Sequence, residues 1–361
     1  MNELKQKFDR LHWFIIFISL IIVGNTILNK QVVYLIGLIP ITFLIVLKRI
    51  KIKHVITIIL VIAIFSILLL DIFTRNSIYL LNRYINNNCS NFYYVRSLAT
   101  QQITNKNPGL YVGSYINMIL FGEKNKYAYE IYNLTKDLSI SHLFVVSGLH
   151  INILSLLISK LLMWKIKNKR IVLVIDLLIS LVFLYFLRFA ISIIRIFLNS
   201  IIKLVSNKLD NMSVNCLSGI IFLFIFKNDV INYGFMMSYF CTLGILFLLE
   251  ISTNKVFLSI SINALCILIT VPFVANMNKR INIYAFFYNY IYSGMIIVQY
   301  IWFLCFGWFG FSTFINSLMV IETLKLININ WNLSVFIDLR WWNPLLSTLY
   351  LSSYCFFALK K

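Results

Sequence analysis

Stretches of about twenty mostly apolar residues recur along nearly the whole chain, and no other feature constrains its folding more. A helix of that length crosses the hydrocarbon layer of a bilayer. Lipid accepts only segments whose backbone N–H and C=O groups pair internally. The runs lie near 11–29, 32–47, 54–72, 141–163, 171–187, 189–206, 213–226, 231–249, 256–276, 283–303, 304–320 and 343–359. The last two are the weakest. The sequence therefore predicts an all-α, polytopic integral membrane protein with about ten transmembrane helices. Of the 361 residues, 60% are hydrophobic and 12% charged. A soluble domain carries about 25% charged residues, so these runs are not one anchor on a soluble body. The basic start and the run from Trp13 to Val23 resemble a signal peptide, but no small-residue cleavage site follows, so this is read as an uncleaved first span.

Lys and Arg number 32 against 12 Asp and Glu, a formal net charge of +20. In a soluble protein that excess would suggest nucleic acid. In a membrane protein, cytoplasmic loops alone supply such an excess. Three basic clusters fall on one side if the spans are counted as above: Lys5, Lys7 and Arg10; Lys48, Arg49, Lys51 and Lys53; and Lys160, Lys165, Lys167, Lys169 and Arg170. That side is expected to be the cytoplasm, giving a multi-pass cell-membrane protein with a cytoplasmic N-terminus. Residues 1–72 form the N-terminal transmembrane helices, and 73–137 an extracytoplasmic segment. This segment interleaves Arg75, Arg83, Arg96, Lys106, Lys124, Lys126 and Lys136 with Tyr79, Tyr84, Phe92, Tyr93, Tyr94 and Tyr111. The pattern suits stacking on bases and pairing with phosphates, and equally a linker with interfacial tyrosines. It has room for a small fold or an amphipathic layer.

Several chemistries lack their residues. Five of the six cysteines lie in apolar segments, where a thiol acts as a small hydrophobe, and no C-x-x-C occurs. The four His form no metal-ligand spacing, so neither a metal nor a cofactor is expected. No G-x-x-x-x-G-K loop is present for ATP.

The most informative stretch is Ser139-Ile140-Ser141-His142-Leu143-Phe144-Val145-Val146-Ser147-Gly148-Leu149-His150. His in a span is costly unless it faces a cavity or another helix. Ser147-Gly148 breaks a helix or permits close helix contact. His142 and His150 are eight residues apart, about 80° around a regular helix. Cavity lining and a hydrogen-bonded packing interface both fit. Arg188 and Arg195, seven apart, share a helix face within about 20°. At mid-membrane an Arg needs water, protein or an anion. The alternatives are a phosphate backbone in a wet path, an ion pair to Asp176, or snorkelling from a helix end.

The stretch from Ser141 to His150 resembles the signature of the ComEC-type competence family, the inner-membrane channels for DNA uptake in natural transformation. Further segments follow in the family's order: Phe189 to Arg195, Asp210 with the run to Phe226, Gly234-Phe235-Met236-Met237-Ser238-Tyr239, Thr270-Val271-Pro272, and Asn289. The resemblance covers roughly 108–310. It implies a competence-type channel core over 138–320, followed by an amphipathic segment and C-terminal helix over 321–361. Family members of full length also carry an OB-like region and a metallo-β-lactamase-like domain. Neither is evident in this sequence, and a Pro usual after the Phe226 segment is replaced by Lys227-Asn228-Asp229. Nuclease activity is therefore not expected.

The function implied is a channel for single-stranded DNA rather than an enzyme. Its partners would be the strand, the lipid bilayer, a separate cytoplasmic motor, a separate nuclease and further copies of the chain. His142, Ser147, Gly148, His150, Arg188, Arg195, Asp210, Gly234, Ser238, Pro272 and Asn289 are the expected path residues. A secondary transporter of a small anion, using intramembrane Arg and a broken helix, and a non-conducting remnant are the competing readings.

Overall fold

The computed structural model describes residues 2–29, 52–70, 90–144, 169–187, 189–206, 209–226, 232–251 and 254–339, with isolated positions among 35–45 and 150–159. In chain order the elements are α1 (Asn2–Asn29), α2 (Ile52–Leu70), α3 (Ser90–Lys106), α4 (Leu110–Phe121), α5 (Lys126–Asp137), α6 (Ser141–Phe144), α7 (Lys169–Phe186), α8 (Ile191–Val205), α9 (Asn211–Ile225), α10 (Tyr233–Ile251), α11 (Lys255–Asn278), β1 (Arg280–Asn282), α12 (Ala285–Phe306), α13 (Thr313–Asn332) and β2 (Phe336–Asp338). Five helical stretches are long and apolar enough to cross a bilayer: Arg10–Leu28, Tyr233–Ile251, Val256–Ala275, Ala285–Phe306 and Gly310–Asn332. The first is mostly buried inside its unit, whereas the other four leave many apolar side chains exposed, as at Phe257, Phe287, Ile291, Val298 and Phe314. A face of that kind is stable only against lipid or another apolar surface. The protein is an α-helical membrane protein. The expected spans 32–47 and 343–359 lie outside or mostly outside the described residues.

Two compact units emerge, each assembled from separate pieces of chain: one from 1–81, 194–276 and 341–361, the other from 82–193 and 277–340.

In the first unit α1 packs against α2 and α9, and α9 against α10. Phe17 is fully buried, with its ring 5.5 Å from Tyr239 and 6.1 Å from Phe235. Gly219 of α9 makes this approach possible, because a Cβ there would overlap the Phe17 ring. Small residues let membrane helices come close enough for dispersion contacts to hold them.

The second unit centres on α4. This twelve-residue helix is buried along ten of its residues and packs against α3, α5, α12 and α13. Its core gathers Tyr115, Ile116, Ile119, Phe144, Tyr292, Ile296, Phe303 and Val320. The helix 110–121 was not among the expected spans. At about 18 Å it is too short to cross alone, and neighbouring helices supply its burial. Polar side chains stitch the unit together. Asn316 donates to Asn107 Oδ1 at 2.7 Å and accepts from Trp302 Nε1 at 2.9 Å. Tyr115 donates to Gln299 Oε1 at 2.7 Å, and Gln299 donates to Thr323 Oγ1 at 2.7 Å. Away from water, each such group must find a protein partner.

One local expectation is corrected. The weak span expected over 304–320 is divided. Residues 304–306 finish α12, the chain turns through Gly307 to Ser312, and α13 runs on to Asn332, into the stretch read as amphipathic. At the break the Ser312 hydroxyl shares its proton between the carbonyl of Phe306, the last residue of α12, and that of Phe309 in the turn. The described residues are all-α as expected, apart from one short strand pair. Strands β1 and β2 pair antiparallel, with Ile281 opposite Ile337.

Candidate functional site

The first unit holds its most unusual side chain on α8. Arg195 is 5% exposed. Its Nη1 donates to the Ser238 carbonyl at 2.6 Å, and its guanidinium carbon lies 5.9 Å from the centroid of the Tyr239 ring. That carbonyl also accepts the Thr242 hydroxyl at 2.8 Å, a bond back along α10. Among the described residues Arg195 forms no ion pair, and its Nε has no acceptor. A buried guanidinium is normally paired with a carboxylate. Here its neutral neighbours are polar. Asn199 stands one turn further along the same face of α8. Asn215 Nδ2 reaches the Tyr239 carbonyl at 3.5 Å, and the Ser218 hydroxyl donates to the Asn215 carbonyl at 2.9 Å. The side-chain oxygens of Asn199, Asn215 and Ser238 are buried without a hydrogen-bond partner. The result is a buried cation with unused hydrogen-bonding capacity at its own Nε, on helices that also carry unpartnered buried oxygens.

Four further expected residues belong to this unit. Gly234 opens α10, where its N–H donates to Asn232 Oδ1 at 2.9 Å. One turn on, Ser238 meets Arg195, so the Gly234–Tyr239 motif and the Arg195 motif come together. Pro272 lies buried inside α11. It brings no N–H, so the Leu268 carbonyl lacks its usual helical donor. Asp210 is engaged elsewhere. Arg10 Nε donates to Asp210 Oδ2 at 2.8 Å while Arg10 Nη1 donates to Glu250 Oε2 at 2.7 Å, and the Ser213 hydroxyl bonds Asp210 Oδ1. Arg10 thus ties the start of α1 to the start of α9 and the end of α10. Beside it Leu209, Asp210, Asn211, Leu246, Leu249 and Glu250 line a pocket of about 400 Å³.

The second unit holds the histidine motif. His142, on the short helix α6, lies beside the side chain of Asn289 near the start of α12. His150 is 2% exposed and its ring lies 4.8 Å from that of Tyr300 on the same helix. Asn289, Ile296 and Tyr300 fall on one face of α12, spaced by seven and four residues. Both motif histidines therefore meet α12, and His142 and Asn289 come together from distant parts of the sequence. Ser147, Gly148 and Arg188 lie outside the described residues.

Among the described residues Asp176 forms no ion pair, with Arg195 or any other cation. That carboxylate accepts the hydroxyls of Ser155 at 2.9 Å and Ser159 at 3.0 Å. Sequence reasoning also missed the partners that give these sites their character: Arg10, Asn199, Asn215 and Ser218 in one unit, Tyr300 in the other. The available signal was polar residues set at helical spacing inside apolar runs, as at Asn215 and Ser218.

Fold and site define a helical membrane protein with a buried cation that meets no carboxylate among the described residues. Residues 119–361, more than half of the chain, match the model of the family described as Competence protein, and the chain belongs to that family. Among curated relatives, an uncharacterized protein of Mycoplasma genitalium is 26% identical over 202 residues, 55% of this chain and 51% of the relative. Its homolog in Mycoplasma pneumoniae is 22% identical over 194 residues, 54% and 50% respectively. The aligned region spans about half the length of these relatives. No solved structure matches the chain.

Proposed function

We propose that the chain forms a channel through which single-stranded DNA enters the cell during natural transformation. Membership of the competence family supports a role in DNA uptake. The observation that carries the finer reading is Arg195, a buried cation that pairs with no carboxylate among the described residues, bonds the Ser238 carbonyl and has an Nε without an acceptor. A phosphate backbone passing through a wet path supplies the missing negative charge. Asn and Ser side chains offer neutral contacts that do not hold the strand in place. Affinity from phosphate contact is independent of sequence and falls with salt, as a conduit for arbitrary DNA requires. On this reading the chain is not an enzyme. A separate motor moves the strand, a separate nuclease removes its complement, and the basic loops face the cytoplasm in a multi-pass arrangement.

The test is uptake of labelled DNA into the DNase-protected pool of the source cell. Deletion of the gene should abolish it. The wild-type gene should restore it, and Arg195→Ala, inserted at equal level, should not. Uptake unchanged by deletion, with the protein demonstrably in the membrane before deletion, overturns the proposal and favours a small-anion carrier or a non-conducting protein. A carrier would saturate with a small substrate instead of depending on polymer and salt.

A further inference from the structure

The turn from α4 into α5 sets lysines beside tyrosines and leaves the lysines uncommitted. Gly122 closes α4 in the left-handed conformation, with φ 65°. Asn125 then caps α5: its Oδ1 accepts the Ala128 N–H at 2.9 Å, and its Nδ2 donates to Ser114 Oγ at 2.7 Å. Lys124 is thus held on a turn anchored on both sides. Its Nζ lies 3.4 Å from the centroid of the Tyr132 ring, within cation–π range. The Tyr129 ring lies 6.4 Å from that of Tyr132, inclined by 33°, and Tyr129 is 54% exposed. Tyr129, Tyr132 and Lys136, spaced by three and four residues, form one stripe of the helix. It flanks the buried face of Ala128, Ile131 and Thr135. The acids of this stretch are engaged elsewhere. Glu123 lies 3.9 Å from Arg96, Glu130 accepts the Tyr111 hydroxyl at 2.8 Å, and Asp137 pairs with Arg280 at 2.6 Å. Among the described residues Lys124, Lys126 and Lys136 form no ion pair. Desolvation first, and the charge of Lys136 as well, hold the Lys124 ammonium below the ordinary lysine range.

We propose that this face of α5 is a binding surface for single-stranded nucleic acid, with phosphates on Lys124 and Lys136 and a base stacked on Tyr129. Cationic groups and aromatic faces are the two elements that such surfaces combine. Phosphate brings the negative charge that the engaged carboxylates do not. The anchored turn reduces the ordering cost of binding. A lipid surface fits less well. A helix that lies on a membrane turns bulky apolar side chains toward it, whereas the exposed residues of α5 are Lys126, Tyr129, Glu130 and Asn133 and its Ile131 is buried. The surface belongs to the second unit, and it depends neither on Arg195 nor on conduction.

The experiment uses the full chain in nanodiscs of neutral lipid and a short fluorescent oligothymidylate, with binding followed by anisotropy over a series of salt concentrations. Tyr129→Leu should weaken binding roughly five- to hundredfold, the loss of one stacked base. Lys124→Gln combined with Lys136→Gln should flatten the slope of log affinity against log salt by about 1.4, the share of two phosphates on a single strand. Lys124→Arg with Lys136→Arg should keep the slope. Arg195→Ala should change neither quantity, so failure of this surface and failure of the channel reading are read separately. In the wild-type chain, an oligonucleotide carrying 5-iodouracil should crosslink on irradiation to the peptide that contains Tyr129, which decides the question even where a variant fails to fold. Crosslinks confined to other peptides, or affinity and slope unchanged in the Leu and Gln variants, would overturn the proposal. A fluorophore on Lys126→Cys that is quenched by brominated phosphatidylglycerol, and stays quenched when oligothymidylate is added, would overturn it in favour of a lipid-facing surface.

Discussion

At the scale of single residues, Arg195 separates two roles that a buried arginine can play. Were it structural, its loss would destabilise the protein by leaving a partner charge unpaired, typically by about 3–5 kcal/mol. No such partner is present among the described residues, and the Ser238 carbonyl keeps the Thr242 hydroxyl when Arg195 is gone. Arg195→Met, which preserves bulk, should therefore leave thermal stability within about 1 kcal/mol of wild type or raise it, because an uncompensated buried charge has been removed. Uptake should fall as in Arg195→Ala. Thermal unfolding in detergent beside the uptake assay distinguishes these outcomes. Asp210 shows the converse. Its residue type and place in the motif suggest a path residue, yet its carboxylate is held by Arg10. The Arg10 contact was not legible because it joins positions 200 residues apart, and no local pattern records such a pairing.

At the scale of elements, hydrophobic length predicted most of the helices well and their ends less well. A run of apolar residues states that a helix can enter lipid. It does not record where one helix will end and the next begin, as at Ser312 between α12 and α13. Contacts between elements yield two predictions. Gly219→Val places branched carbons in the space of the Phe17 ring and should destabilise the α1–α9 pair by about 1–3 kcal/mol, the usual cost of overpacking. Reduced denaturation midpoint, with near-normal helicity before unfolding, would be the observation; an unchanged midpoint would mean α1 and α9 are not so closely packed. Asn316→Leu strips the hydrogen bonds to Asn107, Ser312 and Trp302. It should cost about 1–3 kcal/mol because buried groups are left without partners, although an interhelical bond in lipid averages only about 0.6 kcal/mol by itself. The same measurement checks it, and Asn316→Gln should recover part of the loss.

At the scale of the whole molecule, the excess of Lys and Arg in short loops implies an orientation, and this can be tested directly. With the native cysteines replaced, Lys126→Cys at the exposed start of α5 should react with an impermeant maleimide on intact cells. Lys165→Cys should react only after permeabilisation. The reverse pattern would invert the topology and with it the proposed direction of transport. The sequence by itself determined the class of protein, because length and apolarity leave a chain in lipid no choice but helices. It also marked the family motifs, whose residues lie close together along the chain. Tertiary structure decided everything that depends on partners: that α4 is buried though too short to span, that His142 meets Asn289, that Arg195 finds no carboxylate among the described residues, and that Asp176 accepts the hydroxyls of two serines. The physical reason is the same in each case. Burial inside a helix bundle and the pairing of polar groups are properties of surfaces brought together from distant segments, whereas hydropathy is a property of each segment alone.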